Sequence, residues 1–274
     1  GARVMIDGGM SWWVNSTDSE VHGCLIYDNG WQGTDRGHGH CIYTQNKNGA
    51  KMIGDCIMAS GYAYAMHAYG SPTAFVQNYL AEGNIAYDLD TFLLGGEGST
   101  TGIRALSNSV YGLSLRVGYY SSPTNGTCEV RGNLVVNGDL SITRFAQVTA
   151  ADNVVLPLGT PHPTGLETRF RLNKYDPNRG HLLVLNWDNR RNAPVELGSF
   201  LNAGDTYRLL DPRHFYDGPL AEGSFTGHPL TAPLPREFVA FVALKSNPAG
   251  SQLHDGLGVL TSANAPTNLF DRRL

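Results

Sequence analysis

The chain of 274 residues contains no apolar run approaching the roughly 18 residues that a membrane-spanning helix needs. Its 20 basic residues are scattered and the net charge is only −4, so no basic stripe marks a nucleic-acid surface. Cysteine is sparse: Cys24, Cys41, Cys56 and Cys128 form no CxxC pair and no metal-ligand spacing, and they read as buried free thiols, with disulfides between adjacent turns as the alternative. The opening residues GARVMIDGG lack the charged-then-apolar pattern of an export signal and read as cut into an ongoing strand pattern. Helical periodicity is missing between the repeated segments as well, which argues against a helical solenoid.

What the chain does contain is a repeated short strand. GCLIYDNG from Gly23, GDCIMASG from Gly54, EGNIAYD from Glu82, LSNSVYG from Leu106, RGNLVVNG from Arg131 and ADNVVL from Ala151 have one form. Superposing Ile57, Ile85, Ser109, Leu134 and Val154 gives steps of 28, 24, 25 and 20 residues, and Ile26 precedes Ile57 by 31. Such spacing predicts a solenoid in which each unit buries its apolar face on the next. A second series, at residues 40, 65, 91, 112 and 139, lies between the first. Two or three short parallel strands per turn predict a right-handed parallel β-helix.

Residues 5 to 156 resemble the pectate-lyase-like right-handed parallel β-helix superfamily, whose N-x-I-x-x-N-G grammar these segments follow. That scaffold is shared by lyases, glycoside hydrolases, epimerases, esterases, tailspikes and adhesins, so the resemblance implies a fold more than an activity. Beyond Pro157 the grammar changes. LPLGTPHPTG reads as a Pro-rich linker over 157–166, and alternating strands over 167–245, separated by DPNRG, NAGD and DPRHFYDGP, predict an antiparallel β-sandwich. This part resembles the small sandwich domains appended to bacterial carbohydrate-active enzymes. Residues 246–274 read as an extended tail, and the β-helix proper as 1–156, incomplete at its N-terminus.

The stretch RGHGHCIYTQN, Arg36 to Asn46, carries the densest chemistry. If Ile42 and Met66 are equivalent and inward, Tyr43 aligns with His67 and Gln45 with Tyr69, all outward. In GLSLRVG, Leu113, Leu115 and Val117 read as inward and Arg116 as outward; Glu97 falls near the same edge. Arg36, His38 and His40 enter the first strand and overhang this face. Tyrosines offer a flat face to a pyranose ring, and Arg116 suits a uronate carboxylate.

The first functional reading is therefore a polysaccharide lyase: an acidic polysaccharide cleaved by β-elimination, with His67, Tyr43 and Arg116 in the catalytic roles and Tyr69, Gln45, Arg36, His38, His40 and Glu97 binding substrate. The pectate-lyase arginine motif and a calcium-binding aspartate cluster are both missing. The rivals are a non-catalytic structural, adhesin or glycan-binding coil, and a glycoside hydrolase, for which carboxylates are thin. No cofactor is required; a divalent metal on His38, His40 and His67 is an open alternative. The implied partner is a polysaccharide, with no nucleic acid and no membrane span. Self-association through a coil edge or the tail stays open, and the implied location is secreted, periplasmic or cell-surface. Asn29, Asn84, Asn108, Asn133 and Asn153 read as left-handed turn residues, Trp187 as packed at a strand end, and Trp12 and Trp13 as either a sugar platform or the cover of an exposed rung.

Overall fold

The structure, a computed structural model, describes residues 10–12, 16–69, 73, 75–120 and 124–246. It is all-β; one 3-10 turn, Pro212–His214, is the sole helical element among the described residues. Trp13 and the tail from 247 onward lie outside the described residues, as does the side chain of Trp12.

Up to Leu156 the strands form three six-stranded parallel sheets. The first comprises Met10–Trp12, His40–Thr44, Tyr64–Ala68, Thr91–Leu94, Ser114–Val117 and Leu140–Ile142. The second comprises Ser19–His22, Lys51–Gly54, Tyr79–Glu82, Ile103–Leu106, Asn125–Arg131 and Phe145–Ala151. The third comprises Leu25–Tyr27, Ile57–Ala59, Ile85–Tyr87, Ser109–Tyr111, Leu134–Val136 and Val154–Leu156. The chain visits the three in the same cyclic order, an arrangement compatible with a β-helix. Between the sheets lies a core that includes Ile42, Ile53, Met66, Phe92, Leu115 and Val130.

The register agrees with the repeat: Ile57, Ile85, Ser109, Leu134 and Val154 pair in succession. The first step is shifted by one residue, because Leu25 rather than Ile26 pairs with Ile57. Ile26 instead packs toward the core.

The asparagines differ from the sequence reading. The left-handed residue is the one before each: Asp28, Gly83, Ser107, Gly132 and Asp152 have positive φ. Asn84, Asn108 and Asn133 are instead buried and stacked in a ladder. The Nδ2 of Asn84 donates to Asn108 Oδ1 (2.9 Å) and to Ile53 O (2.9 Å); that of Asn108 donates to Asn133 Oδ1 (3.0 Å) and Ala81 O (2.9 Å). Asn133 repeats the pattern with Asn153 Oδ1 (2.9 Å) and Ala105 O (2.8 Å). A carboxamide carries both donors and acceptor, so each rung satisfies the corner of the next. Asn29 stands outside this column; its Nδ2 faces Cys41 Sγ at 3.8 Å.

After the coil-like connection 157–165, Leu166–Leu172, Arg179–Asn186, Phe238–Ser246, Thr206–Leu210 and Ala221–Ser224 form a five-stranded antiparallel sheet, and Asn192–Val195 pairs with Leu230–Pro233. Leu182, Val184, Leu209 and Phe241 belong to one core of this half. The opposite set, Leu183, Leu185, Phe238, Ala240 and Val242, packs on Ile57, Ile85, Tyr87 and Leu134 of the third parallel sheet. Trp187 is buried in this seam. Arg171 bonds Asp55 and Arg236 bonds Asp88 (2.9 Å) around the seam.

Candidate functional site

With the third sheet covered, the outer face of the first sheet carries the candidate site. Ile42 pairs with Met66 and Tyr43 with His67, as the 24-residue step requires. His67 then pairs with Leu93, and Leu93 with Arg116. The outward column is therefore Tyr43, His67, Leu93 and Arg116. Arg116 is exposed, and it stands two strands, about 10 Å, from His67.

His40 is not in an entering loop. It pairs with Tyr64 at the start of the strand, and both are half-buried while Cys41 and Ile42 are buried. Strict alternation would send His40 and Ile42 to the same side; the doubled inward step at Cys41 and Ile42 returns His40 to the outer face. There the imidazole stacks on Tyr64 (5.6 Å, 22°) and on His67 (4.7 Å, 28°). His67 lies nearly parallel to Tyr64 (4.1 Å, 9°) and edge-on to Tyr43 (5.3 Å, 78°). Tyr69 contacts His67 (5.0 Å), Tyr119 contacts Tyr69 (5.4 Å), and Tyr120 contacts Tyr119 (4.6 Å). Seven rings thus run continuously across the face.

Glycine lets the far end of this row close. Gly95 has φ of +155°, and a Cβ there would meet the Gly118 backbone at 2.6 Å. Tyr119 follows directly and reaches Tyr69 across a strand that presents no side chain at that level.

His67 is the most perturbed member. Burial lowers its pKa to about 3, and the positive charges of His40 and Arg36 act in the same direction. The imidazole is neutral at ordinary pH. Its Nδ1 is buried with no hydrogen-bond partner among the described residues. Burial and a bond to Glu97 raise the Tyr69 phenol, which joins Glu97 to the site edge. The bond to Tyr120, together with burial, pushes Tyr119 up to about 12. Gln45 is half-buried, and its carbonyl accepts from Lys51 Nζ (2.8 Å).

Arg36 and His38 stand on the hairpin Trp31–Gln32 with Gly37–His38. His38 stacks on the half-exposed Trp31 (4.3 Å, 7°) and bonds Asp35 (2.9 Å). His38 therefore faces Trp31 while His40 faces His67, so the three histidines do not share one centre. Among the described residues no three His, Cys, Asp or Glu side chains are grouped to hold a metal.

Tyr64, Tyr119, Tyr120 and Trp31 were not among the residues expected at the site. Tyr64 was within reach of the argument, since the step that aligns Tyr43 with His67 also aligns His40 with Tyr64. Tyr119 and Tyr120 follow a glycine after the strand, where alternation assigns no side.

No protein-family model, curated protein or solved structure matches this chain.

Proposed function

We propose that this chain is a carbohydrate-active protein, a right-handed parallel β-helix bearing a small β-sandwich, that binds an acidic polysaccharide along the outer face of its first sheet. The observation that carries this reading is the unbroken row of seven rings from His40 to Tyr120, flanked by Arg36 and by the exposed Arg116. Rings packed against one another along the face offer their edges and phenol hydroxyls to successive sugars, while guanidinium groups at its flanks take carboxylates. Such a ligand places the protein's work outside the cytoplasm.

A second reading, β-elimination at the same place, is favoured by His67. In that reaction a base removes the uronate C5 proton, the C4–C5 double bond forms, and the C4–O bond breaks. A neutral imidazole beside Tyr43 can hold such a proton. Its depressed basicity is a property of the unliganded face; the negative charge of a bound uronate would raise it. Hydrolysis is less well supported, since Glu97 and Asp35 form no close carboxylate pair.

Calorimetric titration with polygalacturonate, alginate and a neutral glucan tests the binding reading. Tight binding of an acidic polymer, weakened about fivefold in Tyr64→Ala, is expected, because one lost ring contact is worth about 1 kcal/mol. Binding of none of the polymers would reject it. The ultraviolet absorbance of unsaturated uronides in the same mixtures, lost in His67→Ala, would add the elimination chemistry.

A further inference from the structure

The asparagine ladder does not begin with asparagine. Leu25 pairs with Ile57, and the Ile57 backbone N donates to Cys24 O at 2.9 Å. Cys24 and Cys56 are therefore neighbours at the corners that immediately precede two adjacent parallel strands, in the column continued by Asn84, whose Oδ1 accepts from the Cys56 N (3.0 Å). Neighbouring Cα atoms in such a pair lie about 4.8 Å apart, inside the range of about 4.4 to 6.8 Å that a disulfide spans.

The sulfurs turn into one space. Cys24 Sγ faces His22 O (3.6 Å), while Cys56 Sγ faces Gly54 O (3.4 Å) and also Val21 O (3.7 Å), on the strand that leads into Cys24. The two thiols interact directly: the contact with Cys56 lowers the Cys24 pKa and the same contact raises that of Cys56. Burial opposes the lowering at Cys24, and Arg179, whose Nη2 donates to Gly23 O at 2.6 Å, adds to it. Cys24 is partly exposed and Cys56 is buried. The other two cysteines have none of this: burial pushes Cys41 up to about 12 and Cys128 to about 11. One accessible, cation-flanked thiol beside one shielded thiol is the arrangement of an attacking and a resolving cysteine.

We propose that Cys24 and Cys56 form a thiol–disulfide exchange site that reacts with small-molecule disulfides of the glutathione class. The Cys24 thiolate attacks one sulfur of the disulfide, forming a mixed disulfide and expelling one thiolate. Cys56 then gives up its proton to that thiolate and attacks Cys24 Sγ, expelling the second. The protein loses two protons and two electrons, and the small disulfide takes them up to become two thiols. The new bond ties the two strands across residues 25–55, the segment that carries His40 and Tyr43 of the ring face.

The test treats the full chain with oxidised glutathione, blocks remaining thiols, and maps peptides by mass spectrometry. The wild type should yield a Cys24–Cys56 linked peptide, with Cys41 and Cys128 unmodified and the melting temperature raised by about 5–15 °C. Cys56→Ser should instead stop at one glutathionyl group on Cys24, and Cys24→Ser should take up none. A wild type that keeps four free thiols, holds glutathione on Cys24 without resolving it, or links either residue to Cys41 or Cys128 overturns the proposal. The wild-type map decides the matter if either variant does not fold.

Discussion

Replacing Asn108 by alanine removes the middle of the ladder. Its side chain accepts from the Asn84 N (3.1 Å) and Nδ2 (2.9 Å) and donates to Ala81 O (2.9 Å) and Asn133 Oδ1 (3.0 Å). Asn108 is fully buried, so water does not replace these partners. Asn133 Oδ1 keeps the Asn108 backbone N, and Asn84 Nδ2 keeps Ile53 O. The Asn84 backbone N and Ala81 O lose the bonds just named, and one Nδ2 hydrogen of Asn84 is orphaned. At about 1–2 kcal/mol for each of these three groups, the substitution costs about 3–6 kcal/mol. Asn153→Ala, at the partly buried end, leaves its neighbours closer to solvent and costs about 1–3 kcal/mol. Guanidinium unfolding of both variants checks this, read from midpoints at a common slope. An Asn108→Ala loss below about 1 kcal/mol, or one no greater than that of Asn153→Ala, would refute the claim that the column is a buried, mutually satisfied network.

Two further outcomes follow from the same geometry. Burial holds His67 and His181 near pKa 3, with neighbouring positive charges adding to it. Their folded-state values thus lie below the unfolded value of about 6.5, so the stability present above about pH 6.5 is lost as pH falls toward 3; each costs about 2 kcal/mol between pH 7 and 5. His181→Asn should flatten the dependence of the melting temperature on pH across that window, and an unchanged slope would place the sensitivity elsewhere. At the seam, Phe238 is 1% exposed and packs on Tyr87 (5.8 Å) and Tyr111 (5.0 Å). Phe238→Ala should cost about 3–5 kcal/mol by chemical denaturation, whereas a loss under about 1 kcal/mol would mean the two halves do not stabilise each other there.

Much of this was legible from the chain alone, because parallel strands repeat their side chains at each turn. The 24-residue step put Tyr43 beside His67 without any coordinates, and the alternation in GLSLRVG placed Arg116 outward. His40, read as entering the strand and overhanging the face, is instead the strand's first residue, and the doubled inward step at Cys41 and Ile42 that keeps it on the outer face leaves no mark in composition. The asparagines were seen as recurrent but assigned to the turn; whether such a residue adopts left-handed φ or fills the corner depends on its neighbour. His38 and His40 looked like one unit at a spacing of two, yet a glycine-linked hairpin turns the first toward Trp31.

By itself the sequence determined the local rules: short β-branched strands, left-handed residues at the corners, an inward apolar series, and a change of grammar after Pro157. Local preference and period are written in neighbouring residues. Only the tertiary structure decided which distant groups meet. It laid the C-terminal sheet on the third parallel sheet rather than the first, and so left the ring face open. It also brought Arg179 to the carbonyl beside Cys24 and set Cys24 against Cys56. These contacts join residues 32 and 156 positions apart, and their energies depend on desolvation and on charges from other strands, neither of which a local pattern encodes.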